Sequence, residues 1–339
     1  MRPRAKAALL FLLGIALLGG LLAYVGPAEV ARAVASASPV HLALAFVTYA
    51  FFFLVRGWRW KLLFSRSAPD VRTSSTTSIS AVGWLANSIL PLKGGDVLRA
   101  ALLARREKVG LATSAATVGL ERVLDLIGLA LIAALGLLLL PRAAHLPPGL
   151  ERALAVVWIL PIVAIVTLAI LVRWRQQTVR VAEVVLRPFG KLGLKLVRFG
   201  DTVLAGLAAL AQAPRLLVKL VPLTLVISLA QALIFAFLVL AFLPGTHPLL
   251  AFAGSAIFLL SFVISITPGN VGTYEAAFAA VFVGLGTAPE AAVPAAILTH
   301  ITTTLTVAIL GGIGLFALSA EKAKPPFTLT KPLQEGALR

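Results

Sequence analysis

The stretch SILPLKGGDVLR, residues 88–99, interrupts a chain that is otherwise strongly apolar. A second stretch, SITPGNVGTYE at 265–275, begins with nearly the same four residues. In each stretch a proline ends an apolar segment, and glycines follow that permit turns a Cβ would hinder. The apolar pieces on either side are too short to cross the hydrocarbon core, which takes about 20 helical residues. Both stretches therefore predict a broken helix or a re-entrant hairpin inside a membrane protein.

The composition assigns the chain to the integral membrane proteins. Of its 339 residues 60% are hydrophobic and 13% are charged, and the mean hydropathy is +1.00. A soluble domain is about half apolar and a quarter charged. The apolar runs are continuous, which favours helices over the alternating strands of a membrane barrel. There is no cysteine and the four histidines are far apart, so no disulfide, metal site or cofactor is expected.

Long apolar runs predict an all-α polytopic membrane protein with about six full spans and two re-entrant or broken helical hairpins. The first run also fits a signal peptide, but its apolar core exceeds the roughly 7–15 residues of such peptides. A retained helix is therefore expected. The hairpins are predicted at 74–105 and 250–286, and the spans at 5–25, 40–63, 110–140, 152–173, 216–243 and 288–318.

The basic residues predict the orientation. With the N-terminus inside, most of the 30 Lys and Arg fall in cytoplasmic segments, as the positive-inside rule requires. We therefore expect both termini in the cytoplasm. A basic amphipathic segment at about 174–215 is predicted to lie on the inner surface, with its cations toward anionic headgroups. The net charge of +17 is explained in this way, without nucleic acid as a partner.

The two halves of the chain resemble each other. SILP at 88–91 corresponds to SITP at 265–268, and Gly95 and Gly272 keep the same offset. With the orientation above, the first hairpin enters from the cytoplasm and the second from outside. We therefore predict an inverted repeat, a pattern that points to a transport site near the midplane. A single transmembrane domain (1–320) would hold repeat one (about 5–140) and repeat two (about 152–318), before a disordered cytoplasmic tail (321–339).

Polar and ionisable residues at membrane depth are the candidates for function, since one uncompensated charge there costs about 2.5–3.5 kcal/mol on insertion scales. Arg99 and Arg122 are expected to hold an anionic substrate, because guanidinium binds phosphate bidentately. Glu121 and Asp125 share a helix face, and a structural ion-pair cluster is the alternative for both. The predicted substrate site consists of Asn87, Lys93, Gly95, Asp96, Arg99, Glu121, Arg122, Asp125, Gly269, Asn270, Gly272, Tyr274, Glu275 and His300.

Two further expectations concern anions at this site. The half-helices after the breaks are predicted to present free N–H groups and the positive end of the helix dipole. Among the charged candidates, three bases stand against four acids, so anion selectivity would depend on geometry. The stretch RGWRWK at the end of the second span is predicted to lie at the interface, as an anchor or as the place where headgroups are admitted. Its residues are Arg56, Trp58, Arg59 and Trp60.

The same motifs carry a resemblance. Residues 56–60, NSILPLKGGDVLR, ERVLD and PGNVGTYE, in this order, resemble the lysylphosphatidylglycerol synthase transmembrane (flippase-like) family over about 5–318. That family includes the N-terminal membrane domain of the multiple peptide resistance factor. The resemblance implies a prokaryotic inner-membrane protein that moves a lipid between leaflets. By motif matching, the functional positions are Asn87, Pro91, Gly95, Asp96, Arg99, Glu121, Arg122, Asp125, Pro268, Gly269, Gly272 and Glu275.

The expected function is that of a flippase-like or scramblase-like translocase for an anionic, aminoacylated or polyprenyl-linked lipid. A secondary transporter of a small anion is one alternative, and a non-catalytic accessory subunit of a lipid-modifying or glycosyltransferase system is another. The 339 residues lack HExxH, GxSxG and P-loop motifs and the synthase's soluble transferase domain, so no enzyme is expected. The expected partners are membrane lipids, a possible lipid-modifying enzyme and a possible second copy of the chain.

Overall fold

The computed structural model describes residues 27–65, 67–90, 93–139, 162–163, 165–261 and 267–320. In these ranges the chain is helical and contains no strand. Short 3-10 turns lie at Arg187–Phe189 and Pro268–Asn270. The helices are α1 (Pro27–Ala35), α2 (Pro39–Leu63), α3 (Thr73–Asn87), α4 (Gly94–Glu107), α5 (Leu111–Leu139), α6 (Arg175–Leu186), α7 (Gly190–Ala211), α8 (Pro214–Phe242), α9 (Pro248–Ser261), α10 (Thr273–Gly284) and α11 (Pro289–Ala320).

Four of these helices, α2, α5, α8 and α11, are long and apolar enough to cross a membrane. They coincide with the spans predicted at 40–63, 110–140, 216–243 and 288–318, which are thereby confirmed as helices of spanning length. The predicted span at 5–25 and the tail at 321–339 lie outside the described residues. So does most of 152–173, although residues 165–173 are helical. The total of six spans therefore stays a prediction.

Two pairs of short helices occupy the positions of the predicted hairpins. Helices α3 and α4 have 15 and 14 residues, and α9 and α10 have 14 and 12, each fewer than the roughly 20 needed to span. The partners within each pair contact each other. The broken segments are thus located where the proline and glycine pattern predicts them.

The turn in the first break differs from the prediction. Lys93, not a glycine, takes the left-handed conformation, with φ of 54°, and Gly94 and Gly95 already belong to α4. A Cβ on Gly95 would lie 2.0 Å from the carbonyl oxygen of Gly83 and 2.7 Å from the amide nitrogen of Asn87. Gly95 therefore serves the close approach of α3 and α4.

In the second break the glycines do make the turn. Gly269 has a φ of 62° and Gly272 a φ of 79°, values that residues with a Cβ rarely adopt. Between them Asn270, at φ 59°, is of the residue type that best tolerates this region among those with a side chain. The prediction of glycine-dependent turns is therefore correct for this break.

The two halves of the described chain pack in corresponding ways. Helix α2 packs against α8; α3 packs against α11 just as α9 packs against α5. Within the halves, the contacts α2–α3 and α4–α5 have counterparts in α8–α9 and α10–α11. This is the contact pattern expected of two repeats related by a pseudo-two-fold axis, with each hairpin lying against the last long helix of the other half.

Helices α6 and α7 occupy the predicted amphipathic segment. No residue of α6 is buried, while α7 packs through Leu207 and Leu210 against Leu120 of α5 and Leu220 of α8. Arg175 and Asp201 join the two helices through an exposed bidentate ion pair. The hydrogen bond from Arg175 holds the pKa of Asp201 below its usual value. The position of this segment on the inner membrane surface stays a prediction.

The substitution Gly95→Ala tests the close packing of α3 on α4. We expect it to lower the thermal stability of the detergent-purified protein, because overpacking of about 1–3 kcal/mol or more must be relieved by moving one backbone away from the other. The matched control is Gly200→Ala in α7, where an added Cβ has no atom within 4 Å. Equal unfolding temperatures for the two variants would contradict this packing role.

Candidate functional site

The motif GLERVLD on α5 is the centre of a buried ionic cluster. Asp125 accepts hydrogen bonds from Arg56 (2.8 Å) and Arg59 (2.5 Å), which both come from α2. One turn earlier, Glu121 pairs with Arg99 of α4 at 2.5 Å and with Arg59 at 3.4 Å. Helices α2, α4 and α5 are thus held together by charges on facing surfaces.

The outer edge of the cluster is a bidentate pair. Arg122 donates through Nε and NH2 to the two carboxylate oxygens of Asp96, at 2.7 and 2.6 Å. Arg99 Nε lies 3.3 Å from the same carboxylate, and its guanidinium stacks 4.9 Å above the ring of Trp60. The first hairpin is therefore fastened to α5 by two separate pairs, as the ion-pair alternative in the sequence predicts.

The predicted interfacial position does not fit three residues of the RGWRWK stretch. Arg56, Arg59 and Trp60 are all 0% exposed, and the two arginines belong to the ionic cluster. Residue Trp58, on the opposite side of the helix, is 52% exposed and is the member placed as an interfacial anchor would be. The burial of these three residues follows from helical periodicity, because Arg56, Arg59 and Trp60 share one face of α2 and that face packs against α5.

The two arginines of α2 also change the charge balance. The cluster pairs the guanidinium groups of Arg56, Arg59, Arg99 and Arg122 with the carboxylates of Asp96, Glu121 and Asp125. Four cations thus face three anions, and Lys93 adds a further amine beside the cavity described next. The balance expected from the sequence has the opposite sign because Arg56 and Arg59 were expected at the interface.

A cavity of about 410 Å³ lies between the two broken segments, a volume within the usual range for ligand sites, roughly 300–1,000 Å³. Its wall combines aromatic and aliphatic side chains with amides, hydroxyls and charges. The two breaks meet beside it, since a Cβ on Gly269 would lie 2.9 Å from the carbonyl oxygen of Ser88. The residues lining it are Tyr49, Trp84, Asn87, Ser88, Lys93, Asp96, Arg122, Asp125, Leu126, Leu129, Gln231, Phe235, Leu259, Gly269, Asn270, Tyr274, His300, Thr303, Thr304 and Val307.

Most of the predicted site residues meet in this cavity. The structure brings nine of them to its wall, from both halves of the chain: Asn87, Lys93, Asp96, Arg122, Asp125, Gly269, Asn270, Tyr274 and His300. The other five do not line it: Gly95, Arg99, Glu121, Gly272 and Glu275. Arg99 and Glu121 are fully buried partners of each other, so they support the wall rather than face a ligand. Pro91 lies outside the described residues.

The second half contributes a different polar group. Glu275 of α10 is 2% exposed; its Oε2 accepts a hydrogen bond from the Gly272 N–H at 2.7 Å, and its Oε1 lies 2.6 Å from His300 Nδ1. The ring of His300 stacks on Tyr274 at 4.3 Å. The expectation of free N–H groups at this half-helix is therefore not met at Gly272, because Glu275 caps it.

Several wall residues were not among those predicted from the sequence. Tyr49 in α2 and Trp84 in α3 are aromatic residues of apolar segments, and Gln231 is a lone amide within α8. Gln231 carried a usable signal, since an amide in a span of this hydropathy needs a partner or a cavity. No group of three or more His, Cys, Asp or Glu that could hold a metal ion occurs among the described residues.

The comparisons with known proteins agree with the motifs. The chain matches the family described as "Lysylphosphatidylglycerol synthase TM region" over residues 11–311. The protein belongs to this family. The match includes both broken segments and every residue of the cavity wall, so the resemblance carried by the motifs is confirmed, and with it the assignment as a multi-pass membrane protein.

Two curated relatives match parts of the chain. One is a UPF0104 membrane protein from Methanothermobacter thermautotrophicus, 27% identical over 139 residues, which are 40% of this chain and 41% of that protein. The other is the glycosyltransferase AglD from Haloferax volcanii, 26% identical over 148 residues, 42% of this chain and 23% of that protein. The chain thus matches less than half the length of either relative. No solved structure gives a significant match.

Glu121→Gln tests the ionic cluster. The substitution removes the carboxylate charge that pairs most closely with the buried guanidinium of Arg99 and leaves it only the longer contact to Asp96. The loss of one partner of a buried pair costs about 3–5 kcal/mol. We expect a large drop in the unfolding temperature of the purified protein. Glu183→Gln, at an exposed site on α6, is the control. If both variants unfold at the wild-type temperature, the cluster does not hold the hairpin.

Proposed function

We propose that this protein translocates a lipid with an anionic, phosphate-bearing headgroup between the leaflets of a membrane. The observation that carries the proposal is the cavity between the two broken segments, with charged and amide groups in its wall at the depth of apolar spans. Polar groups at that depth need water or a polar substrate as a partner. In secondary transporters, paired broken helices of two repeats mark such a substrate site.

The wall of the cavity suits an amphipathic substrate. Lys93, Arg122 and His300 provide positive or proton-donating groups, with Asn87 and Asn270 as neutral partners. Aromatic and aliphatic side chains such as Trp84 and Leu259 form the rest. A headgroup would occupy the polar part, while its acyl or prenyl chains stay among the apolar residues. Amides and cations of this kind stabilise a phosphate oxygen without a metal.

The charge balance favours an anion. Four guanidinium groups face three carboxylates in the ionic cluster, part of which lines the cavity. A positive excess in a medium of low dielectric attracts negative charge strongly. A cationic headgroup such as an aminoacylated one would bring its amine toward Asp96 or Asp125, which also line the cavity. Both kinds of headgroup would bind through their phosphate group.

The membrane arrangement is part of the proposal. Both termini would lie in the cytoplasm, with the cationic helices α6 and α7 on the inner leaflet, where exposed basic side chains meet anionic lipids. The two repeats would then run in opposite directions, so that each hairpin enters from its own side. We place the protein in the cytoplasmic membrane of a prokaryote and assign it no catalytic step of its own.

A second candidate comes from the Haloferax relative, which is named a glycosyltransferase. By this likeness, the chain would act as an accessory subunit of a lipid-modifying or glycosyltransferase system. A transporter of a small soluble anion would use the same cavity. Direct competition separates these candidates: only the soluble-anion transporter binds and carries inorganic phosphate without any lipid.

Arg122→Ala tests the translocation proposal. Purified protein is reconstituted into liposomes that contain fluorescent phosphatidylglycerol, and leaflet exchange is scored by access to an impermeant quencher. Arg122 is the guanidinium that lines the cavity, and removing a charge-assisted phosphate contact of about 1.5–3 kcal/mol should slow exchange roughly tenfold or more. The control is Arg180→Ala, an exposed arginine on α6.

Both variants must first show wild-type insertion and remain folded at the assay temperature, because loss of the Arg122–Asp96 pair lowers the unfolding temperature as well. Equal exchange rates in wild type and a folded Arg122→Ala variant would contradict the role of Arg122. No exchange by the wild type, with several headgroups, would reject lipid translocation in favour of the accessory or soluble-anion candidates.

A further inference from the structure

The side chain of His300 lies at the cavity wall between a carboxylate and an aromatic ring. It lines the cavity from α11, its Nδ1 lies 2.6 Å from Glu275 Oε1, and one face of its ring stacks on Tyr274. The Nδ1 edge of the imidazole is thus hydrogen-bonded, and one face of the ring is covered by Tyr274. Nε2 is the ring nitrogen left for a ligand, and no side chain of the described ranges bonds to it.

Glu275, the partner of His300, differs from the carboxylates of the ionic cluster in the groups that it contacts. Each carboxylate of the ionic cluster meets a guanidinium, which stays charged at any physiological pH. In the part of the chain that the structure describes, Glu275 meets no Arg or Lys; its partners are His300 and the Gly272 N–H. The buried negative charge of this side chain is therefore matched by a group whose own charge depends on one proton.

The hydrogen-bond pattern decides where that proton is held. Oε2 of Glu275 already acts as an acceptor toward Gly272, and a carboxylate has only lone pairs to offer, so the bond to His300 requires the hydrogen on Nδ1. In the neutral ring Nε2 then carries a lone pair, which repels an anionic oxygen. In the protonated ring Nε2 carries an N–H, which donates to one.

We infer that His300 and Glu275 form a proton-binding site, and that an anionic phosphate-bearing headgroup occupies the cavity together with one proton on Nε2 of His300. The inference rests on the proposed function. The balance is simple: one proton from water converts the neutral imidazole to imidazolium, which pairs with one phosphate oxygen. When the headgroup leaves toward the other side, the same proton leaves with it.

Among the residues that line the cavity, His300 is the imidazole. Helix α3, which packs against α11, has no ionisable side chain from Thr73 to Asn87. Imidazole is the side chain whose ordinary titration lies between pH 5 and 8. The other ionisable groups of the wall and of α10, at the cavity or directly behind it, are Tyr49, Lys93, Asp96, Arg122, Asp125, Tyr274 and Glu275.

Coupling of this kind gives the transporter a driving force. Because proton and headgroup each raise the affinity for the other, a proton gradient across the membrane biases the direction of lipid movement. The bound pair is also electrically neutral, which removes the cost of carrying one negative charge through the hydrocarbon.

The first test reads the proton directly. Full-length protein with ¹⁵N-labelled histidines is placed in phosphatidylcholine liposomes with or without phosphatidylglycerol, and the imidazole signals are followed from pH 8 to pH 5. The chain has four histidines, and the signal lost in His300→Gln assigns the site. We expect Nδ1 protonated throughout, and Nε2 protonated at higher pH when phosphatidylglycerol is present. An unprotonated Nδ1, or an Nε2 that does not respond to the lipid, overturns the inference.

The second test reads transport. Lipid exchange by the wild type should rise by roughly tenfold or more from pH 8 to pH 6, because only the protonated ring donates a hydrogen bond from Nε2 to the phosphate oxygen. His300→Gln should abolish this pH dependence, and Glu275→Gln should weaken it. His247→Gln, at an exposed histidine between α8 and α9, should leave it unchanged.

The outcomes separate the two proposals. Exchange with the same pH profile in wild type and His300→Gln overturns the proton site, while translocation stands. The expected imidazole signals without any lipid exchange support the proton site and count against translocation.

Discussion

The rest of the structure depends on the ion pairs between the carboxylate of Asp125 and two arginines of α2. A charge in the hydrocarbon region must be paired, and every pairing commits one helix to face another. Through Asp125 and its neighbour Glu121, helix α5 is joined to α2 and to α4. The polar end of the first hairpin is thereby held among apolar spans, with Asp96 and Arg122 at the cavity wall.

Both halves contain a broken helix, but the side chains that stabilise the break differ between them. Both have a short helix, a break with residues at positive φ, and a second short helix. In the first half the break is stabilised by permanent charges, with Arg122 and Asp96 at the wall. In the second half a buried carboxylate caps the helix and holds a histidine. One side of the cavity thus has a constant charge, and the other has a charge that one proton can change.

Membership of the family is carried by most of the chain, whereas the curated relatives match less than half of it. The family therefore establishes the kind of protein, and the cavity supplies the argument about its substrate. A wall that combines apolar and charged side chains suits a phospholipid as well as a polyprenyl-linked lipid. Both carry phosphate, and the positive excess of the cluster is what favours it.

The sequence by itself determined the spans of the described region, the two breaks and nine of the 20 residues at the wall, because hydropathy and proline and glycine positions act locally. It did not determine which charges meet, since that depends on how each helix is rotated toward its neighbours. Arg56 and Arg59 near the end of a span look like interfacial residues until packing turns their face toward α5. Glu275 likewise follows the second break in the sequence, but its pairing with His300 depends on how α11 packs against α10. Tertiary packing thus decided the sign of the charge at the site, because pairing in the membrane core is a contact between helices distant in sequence.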